Sequence, residues 1–440
     1  MSPDGPLIEV QLAYGKSGMT VSVPASAAVL VPAYHDAAPN LDDELARALA
    51  APVAGPRLRD LVRPGQRVAV AICDGTRPQP RAAMLRSLLV ELDGNVDPED
   101  LTVFVATGTH EPPDTDQFAA LVGPDLAERV RVVGHDARDD ASLLDLGVHG
   151  SGVPVLCNRA FLAAEVRVTT GFVEPHFFAG FSGGPKLVAP GLLGLASVLV
   201  LHDAERIGSP MASFGRLEGN PVHDDIRAIA RAIRVDFGFD VVLNREQQVV
   251  RAFAGELFAM HADAVALVKK TAMVAVPEPF DVVVTTNAGS PLDQNLYQSV
   301  KGIAAAAQVV RPGGLIIIAA ECREGFPDFG EFRALLTSAP DLATLNDVVL
   351  RCPTTPDQWQ VQVLARALGR ARVQLACDGL SDVDVRAAHL EPIGDVTASL
   401  VGELARRGPH ATCCVLPEGP LTIPYVAEET TKPTTGGYAR

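Results

Sequence analysis

Short apolar runs recur along the chain, each closed by glycine or a polar turn. Arg67–Ile72 (RVAVAI) lies between Gly65 and Asp74, and Leu101–Ala106, Arg129–Val133 and Val166–Thr170 repeat the form. Runs of this length without alternation predict strands buried on both faces, the habit of parallel sheets. Between and after them, residues of helical period predict helices over Leu41–Ala50, Pro80–Leu92, Ala196–Ile207, His223–Ile233 and Glu256–Lys270. Alternation near Ile8–Leu12 predicts a short strand close to the start. Two prolines in Val276-Pro277-Glu278-Pro279 favour an extended linker. The rhythm then restarts: a strand over Asp281–Thr286, a helix over Leu292–Val310, a turn at Arg311-Pro312-Gly313-Gly314, and strands over Leu315–Ala320, Ala371–Cys377 and Ala411–Leu416. The reading is an α/β protein of two α/β domains with mainly parallel sheets, residues 1–275 and 276–418, followed by a tail, 419–440, that frays from about Tyr425.

Composition narrows the function classes. Apolar residues make up 48% but aromatics only 5%, so aliphatic side chains fill the cores. The formal charge of −16 disfavours nucleic acid and anionic membranes as partners, and no Lys/Arg cluster offsets it. No run is long enough to span a bilayer, and no secretory signal is evident at the start. The seven cysteines (73, 157, 322, 352, 377, 413 and 414) have no metal-ligand spacing. Reduced thiols in a cytoplasmic protein are therefore expected.

Chemistry-bearing residues gather just after predicted strands, where open parallel sheets bind ligands. The densest segment is Glu174–Gly191, which holds His176, a Gly/Ser-rich turn and Lys186; His202 follows sixteen residues after the lysine. Gly180, Gly183 and Gly184 permit close backbone approach to a ligand, and Lys186 suits a phosphate partner or a nucleophile. Pro185 and Leu187 rule out a Walker A loop. Cys73-Asp74-Gly75-Thr76-Arg77-Pro78 can bind an anion through backbone amides, with Arg77 gripping a carboxylate, or form a plain turn. Thr107-Gly108-Thr109-His110 ends on a histidine placed for acid–base work or for capping. On a helix, His202 reads as a metal ligand or a surface residue, and it is too far from His176 for a local zinc motif. Tyr297, Gln298 and Lys301 share one side of a predicted helix. The remaining histidines (35, 135, 149, 223, 261, 389 and 410) read as structural or surface residues, and Trp359, the only tryptophan, as core.

Together these segments resemble the nickel-pincer-nucleotide enzymes of the lactate racemase family. The matching residues are Asp74-Gly-Thr-Arg77-Pro, Gly-Thr-His110, Pro175-His176 with Ala179-Gly180-Phe181-Ser-Gly-Gly-Pro-Lys186, His202, and Tyr297-Gln298 with Lys301. The resemblance spans residues from about 8 to 425. It implies two α/β domains with an active-site cleft between them, the first binding the cofactor and the second contributing substrate contacts. The implied cofactor is a nickel-pincer nucleotide, pyridinium-3-thioamide-5-thiocarboxylic acid mononucleotide with Ni(II), tethered to Lys186 and contacted by Asp74, Gly75, Thr76, Arg77 and Pro190. His202 is then the one protein ligand to nickel, which suits soft donors in a square-planar set.

The implied activity is racemisation or epimerisation of a small 2-hydroxy acid. The cofactor takes hydride from the substrate while His110 or His176 takes the hydroxyl proton, and return to the opposite face inverts the centre. Arg77, Tyr297, Gln298, Lys301 and Trp359 are the implied substrate contacts, and cofactor-biosynthesis enzymes are implied partners. Glu111 stands where the family often carries a basic residue after the histidine. Malate, a hydroxyglutarate, an aryl-lactate or a sugar acid fits the resemblance as well as lactate does. Two further readings are an epimerase of a larger sugar acid and a non-catalytic protein that holds the nickel nucleotide or a hydroxy acid. A nicotinamide dehydrogenase is disfavoured, because no G-x-G-x-x-G follows a strand.

Overall fold

A computed structural model describes residues 6–33, 35–328, 330–351 and 353–427. The chain forms two compact units, and neither is continuous in sequence. The larger comprises Pro32–Ala272 and Pro327–Ala365; the smaller gathers the described residues of Met1–Val31, Met273–Phe326 and Arg366–Arg440.

The larger unit is built on a six-stranded sheet. Its spatial order is Val249–Gly255, Phe237–Leu243, Val166–Phe172, Val68–Cys73, Leu101–Ala106, Arg131–Gly134. All neighbours are parallel except the first pair, which is antiparallel. Every residue of Val68–Cys73 is buried, as its unbroken apolar run demands of a central strand. From that strand the chain first winds outward through Leu101–Ala106 to Arg131–Gly134. It then returns to the other side of Val68–Cys73 with Val166–Phe172. The order of winding reverses between these two neighbours, and the crevice at such a reversal is where open α/β sheets place their ligands. The strands at Phe237–Leu243 and Val249–Gly255, and the antiparallel hairpin Leu143–His149/Val153–Asn158, have no counterpart in the sequence reading.

The smaller unit holds a second, wholly parallel sheet in the order Glu391–Pro392, Ala371–Ala376, Val310–Ala319, Phe280–Thr286, Cys413–Leu416, Ala28–Val29. The N-terminal segment belongs here because Ala28–Val29 pairs with Cys413–Leu416. The hairpin Leu7–Leu12/Met19–Pro24 also packs into this core through Val10, Leu12, Val21 and Val23. Arg311–Gly314 lies inside a strand and not in a turn, with the register slipping between Phe280 and Val282 to absorb it. Tyr425 is ordered and not frayed: Ile423–Val426 pairs in parallel with Met273–Val276. The rest of the expected tail, residues 428–440, lies outside the described residues, as does Cys352.

Among the described residues no helix is long and apolar enough to cross a membrane. The cysteines that are described are all free thiols.

Candidate active site

Val68–Cys73, Leu101–Ala106 and Val166–Phe172 are adjacent in the sheet, and each delivers one chemically loaded loop from its carboxyl end. Main chain and side chains join these loops. His110 donates its Nδ1–H to Asp74 Oδ2 at 2.6 Å, tying the second loop to the first. Gly108 N donates to Gly191 O at 3.0 Å, tying the second to the third. Arg77 lies 4.0 Å from Glu174, between the first and third.

Asp74 is the organising residue of the first loop. Its Oδ1 accepts from Thr76 N (3.1 Å) and Thr76 Oγ1 (2.6 Å). Burial alone would push its carboxyl up, but the hydrogen bonds from His110 and Thr76 and the charge of Arg77 hold it below the usual carboxylate range. The carboxylate therefore stays ionised and accepts the His110 proton, which leaves Nε2 of His110 as the basic nitrogen. Arg81, missed in the sequence, curls this loop. Its guanidinium donates to the carbonyls of Cys73 (2.8 Å), Asp74 and Arg77 (2.6 Å). Gln79 pins the strand end, accepting from Cys73 N at 2.8 Å and donating to Thr170 Oγ1 at 2.9 Å.

His176 stands in a small antiparallel hairpin, Pro175–His176 with Gly180–Phe181. Its ring stacks on Phe177 (centroids 4.9 Å) and meets Phe178 edge-on (4.5 Å). Nδ1 accepts from Ala179 N at 3.2 Å and Phe178 N at 3.5 Å. In the neutral ring this places the hydrogen on Nε2, and Nε2 lies 3.3 Å from Lys186 Nζ. The glycines of this segment turn toward protein. A Cβ on Gly180 would fall 2.2 Å from Arg216 O, on Gly183 2.6 Å from Asp240 Oδ2, and on Gly184 2.7 Å from the His261 ring. Their expected use, room for a ligand, is here first a need for room against the chain's own core.

The helix expected over Ala196–Ile207 is two helices, Leu195–Leu201 and Ala204–Gly208, broken at His202. Asp203 caps the second by accepting from Arg206 N at 2.8 Å, and Arg206 is held in turn by Asp225 at 2.7 Å. An N-cap requires extended backbone, so Asp203 ends the first helix and leaves His202 at the junction. His202 is 5% exposed. Its Nδ1–H donates to Val198 O at 2.8 Å, so the Nε2 lone pair is the one offered outward. Burial pushes its pKa down to about 4, and the charge of Lys186 acts in the same direction. The ring is flanked by Phe178 (5.3 Å, edge-on) and Trp359 (4.9 Å). Trp359, 7% exposed as a core residue should be, sits inside the helix Gln358–Arg370. That helix is tied to the His202 junction by Gln362 Nε2 donating to Ala204 O at 2.8 Å.

The larger unit thus carries Asp74, Gly75, Thr76, Arg77, His110, His176, Lys186, Pro190, His202 and Trp359. Tyr297, Gln298 and Lys301 lie in the smaller unit on the helix Leu296–Ala307, where Lys301 Nζ donates to Gln298 Oε1 at 2.7 Å. Asp240, buried in the larger unit, escaped notice in the sequence, while His223 and His261, read as structural or surface residues, are both buried there. The one visible signal was a lone aspartate inside the apolar run Phe237–Leu243.

Comparison with known proteins gives the family. Residues 14–215 match the Lactate racemase N-terminal domain and residues 276–423 the Lactate racemase C-terminal domain. The chain is 34% identical over 400 residues to a lactate racemase of Thermoanaerobacterium thermosaccharolyticum, covering 90% of this chain and 94% of that one. It is 32% identical to a lactate racemase of Lactiplantibacillus plantarum over 84% of this chain and 87% of that one. The solved apoprotein of the Thermoanaerobacterium enzyme superposes with a TM-score of 0.88 at 32% identity, covering 95% of this chain and all of that one. The chain belongs to the lactate racemase family and is an enzyme of the isomerase class.

Proposed function

We propose that the protein racemises or epimerises a small 2-hydroxy acid, with lactate, the substrate in its relatives' names, as the first candidate. The observation that carries this reading is a pair of differently wired histidines, His110 fixed by Asp74 and His176 beside Lys186. His110 is held by a carboxylate through Nδ1 and is ready to take a proton on Nε2. His176 is held by backbone amides at Nδ1 and turns Nε2 toward Lys186; as the acid it would act in its protonated form, because a neutral ring does not give up its N–H. Inverting a carbinol centre through a planar keto acid needs one group of each kind, since the hydroxyl proton leaves on one side and returns on the other. Asp74 stabilises the imidazolium that His110 becomes. The opposite direction of reaction exchanges the two roles.

The residues present fit a nickel-pincer nucleotide. His202 offers one buried neutral imidazole with its other nitrogen fixed on a carbonyl, the usual condition of a metal-bound histidine. Among the described residues no group of three or more His, Cys, Asp or Glu could hold a metal alone, so a metal here would take its other donors from a cofactor. Bound at these residues, such a group supplies a reversible acceptor for the hydrogen at the substrate's C2. Lys186 would hold it covalently through Nζ. Acylation would remove the lysine charge beside His202, and burial, the larger cause, would still keep that imidazole neutral as a ligand. Asp74, Gly75, Thr76 and Pro190 would contact the nucleotide. Arg77, Gln298 and Lys301 would bind the substrate's carboxylate and hydroxyl, with Tyr297 and Trp359 as further substrate contacts.

The test is production of the full chain together with cofactor-biosynthesis enzymes, followed by intact mass, peptide mapping, metal analysis and a chiral assay over a panel of hydroxy acids. A mass increment on Lys186, bound nickel and interconversion of D- and L-lactate are expected. Protein without nickel in that setting would sink the reading, and turnover of another acid in the panel with none of lactate would move the substrate.

A further inference from the structure

Asp240 is out of place by ordinary rules. It stands in the strand Phe237–Leu243, every neighbour of which in that strand is apolar or glycine, and it is 0% exposed. Among the described residues it has no cationic partner. A buried carboxylate without one is expensive, so its contacts need a reason. Its Oδ2 accepts from Gly184 N at 2.5 Å, and its Oδ1 makes no hydrogen bond. The strand pairs in parallel with Val166–Phe172, opposite Gly171, so the carboxyl reaches under the segment that follows that strand.

A second side chain grips the same segment. His261, on the helix Leu257–Ala272, donates Nε2–H to Ser182 O at 2.9 Å, and its ring fills the space a Gly184 side chain would take. His223 lies behind it, with ring centroids 6.1 Å apart. Ser182–Gly184 is thus held from beneath by an acceptor at one residue and a donor at another. Gly184 opens the short 3-10 turn Gly184–Leu187 that carries Lys186, and Lys186 N donates to Gly183 O at 3.1 Å. Little chain lies between these anchors and the lysine.

We propose that Asp240 and His261 are positioning residues for Lys186. By fixing Gly184 N and Ser182 O they set where Nζ stands beside His176, and so how readily it is acylated. The inference rests on the reading above that Lys186 is the covalent attachment point.

The test uses the full-length chain made in a host without the cofactor pathway. Its lysines are acetylated with a succinimidyl acetate, and the rate at Lys186 is measured by peptide mass spectrometry against exposed Lys16. Asp240→Ala and His261→Phe are expected to change the Lys186 rate relative to Lys16 by about fivefold or more, the effect of losing one hydrogen bond. Asp240→Asn and His261→Gln keep an acceptor and a donor and are expected to stay near wild type. Folded Ala and Phe variants that label as wild type does would overturn the proposal, as would Asn and Gln variants that behave like Ala and Phe. Should Ala or Phe fail to fold, amide hydrogen exchange of wild-type Gly184 decides. Strong protection is expected, and exchange at the rate of an open loop counts against the clamp. Because labelling needs no cofactor, a wild-type chain that never acquires nickel counts against the proposed function, separately from this result.

Discussion

In the proposed reaction the tautomer of His110 decides which of its nitrogens is free to act as the base. Asp74 gives His110 its tautomer, and Asp74→Asn would reverse it, since an amide can present N–H to Nδ1 while its oxygen still accepts from Thr76. Nε2 would then carry the proton and could not take one from a hydroxyl. Activity of the cofactor-loaded variant is expected to fall by about 100-fold or more, with little change in melting temperature. Steady-state rates beside thermal melts check this, and an active Asn variant would remove Asp74 from the argument. The residue types themselves were legible in the sequence: His110, His176 and Lys186 come after predicted strands, and His202 falls in a predicted helix. Their tautomers were not, because a tautomer depends on which amide or carboxylate the fold delivers to the other ring nitrogen.

At the scale of elements, the hairpin that carries His176 depends on one close approach. Gly180 has φ +81, and a Cβ there would meet Arg216 O at 2.2 Å. Gly215 N donates to Gly180 O at 3.0 Å from the same loop, and Asn220 Nδ2 donates to Phe178 O at 2.8 Å. Gly180→Ala is therefore strained both in backbone and in space. It is expected to destabilise the protein by about 2 kcal/mol or more. Denaturant unfolding reads this directly, and a loss under about 0.5 kcal/mol would mean the loop shifts freely. The helix broken at His202 shows the same dependence on neighbours. Apolar periodicity runs through Ala196–Ile207 without interruption, and only the capping by Asp203, backed by Arg206 and Asp225, divides it.

For the whole molecule, buried titratable groups make stability depend on pH. Burial pushes His202 and His261 down to about 4 and His223 to about 3, from an ordinary 6.5. Between those values the unfolded chain binds protons that the folded chain refuses, so stability rises with pH up to about 6.5. Each such histidine costs roughly 1 kcal/mol per pH unit below that point. Asp240 acts in the opposite sense. Burial raises it from 3.8 to about 7, so in that window the folded chain holds the extra proton and stability falls as pH rises. Burial lowers His135 as well and raises Asp224, so four histidines stand against two aspartates, and the melting temperature is expected to climb from pH 5 to 6.5. Asp240→Asn should steepen that climb, because it removes an opposing group. A flat profile in the wild type would show that these groups titrate normally in the folded chain.

Much of the framework followed from the order of residues alone. Unbroken aliphatic runs set the parallel strands, and turn residues at their ends marked where ligand chemistry gathers, because both are local patterns. The segment around His176 and Lys186 was conspicuous for the same reason. The division into units was not local: Ala28–Val29 finds its partner in Cys413–Leu416, and the stretch carrying Trp359 returns to the larger unit to lie against His202. Nor could the sequence reveal that Asp240 and His261, far along the chain, reach beneath the Lys186 segment. Such contacts are decided by which strands become neighbours in the sheet, and that depends on packing of the whole unit and not on any stretch of it.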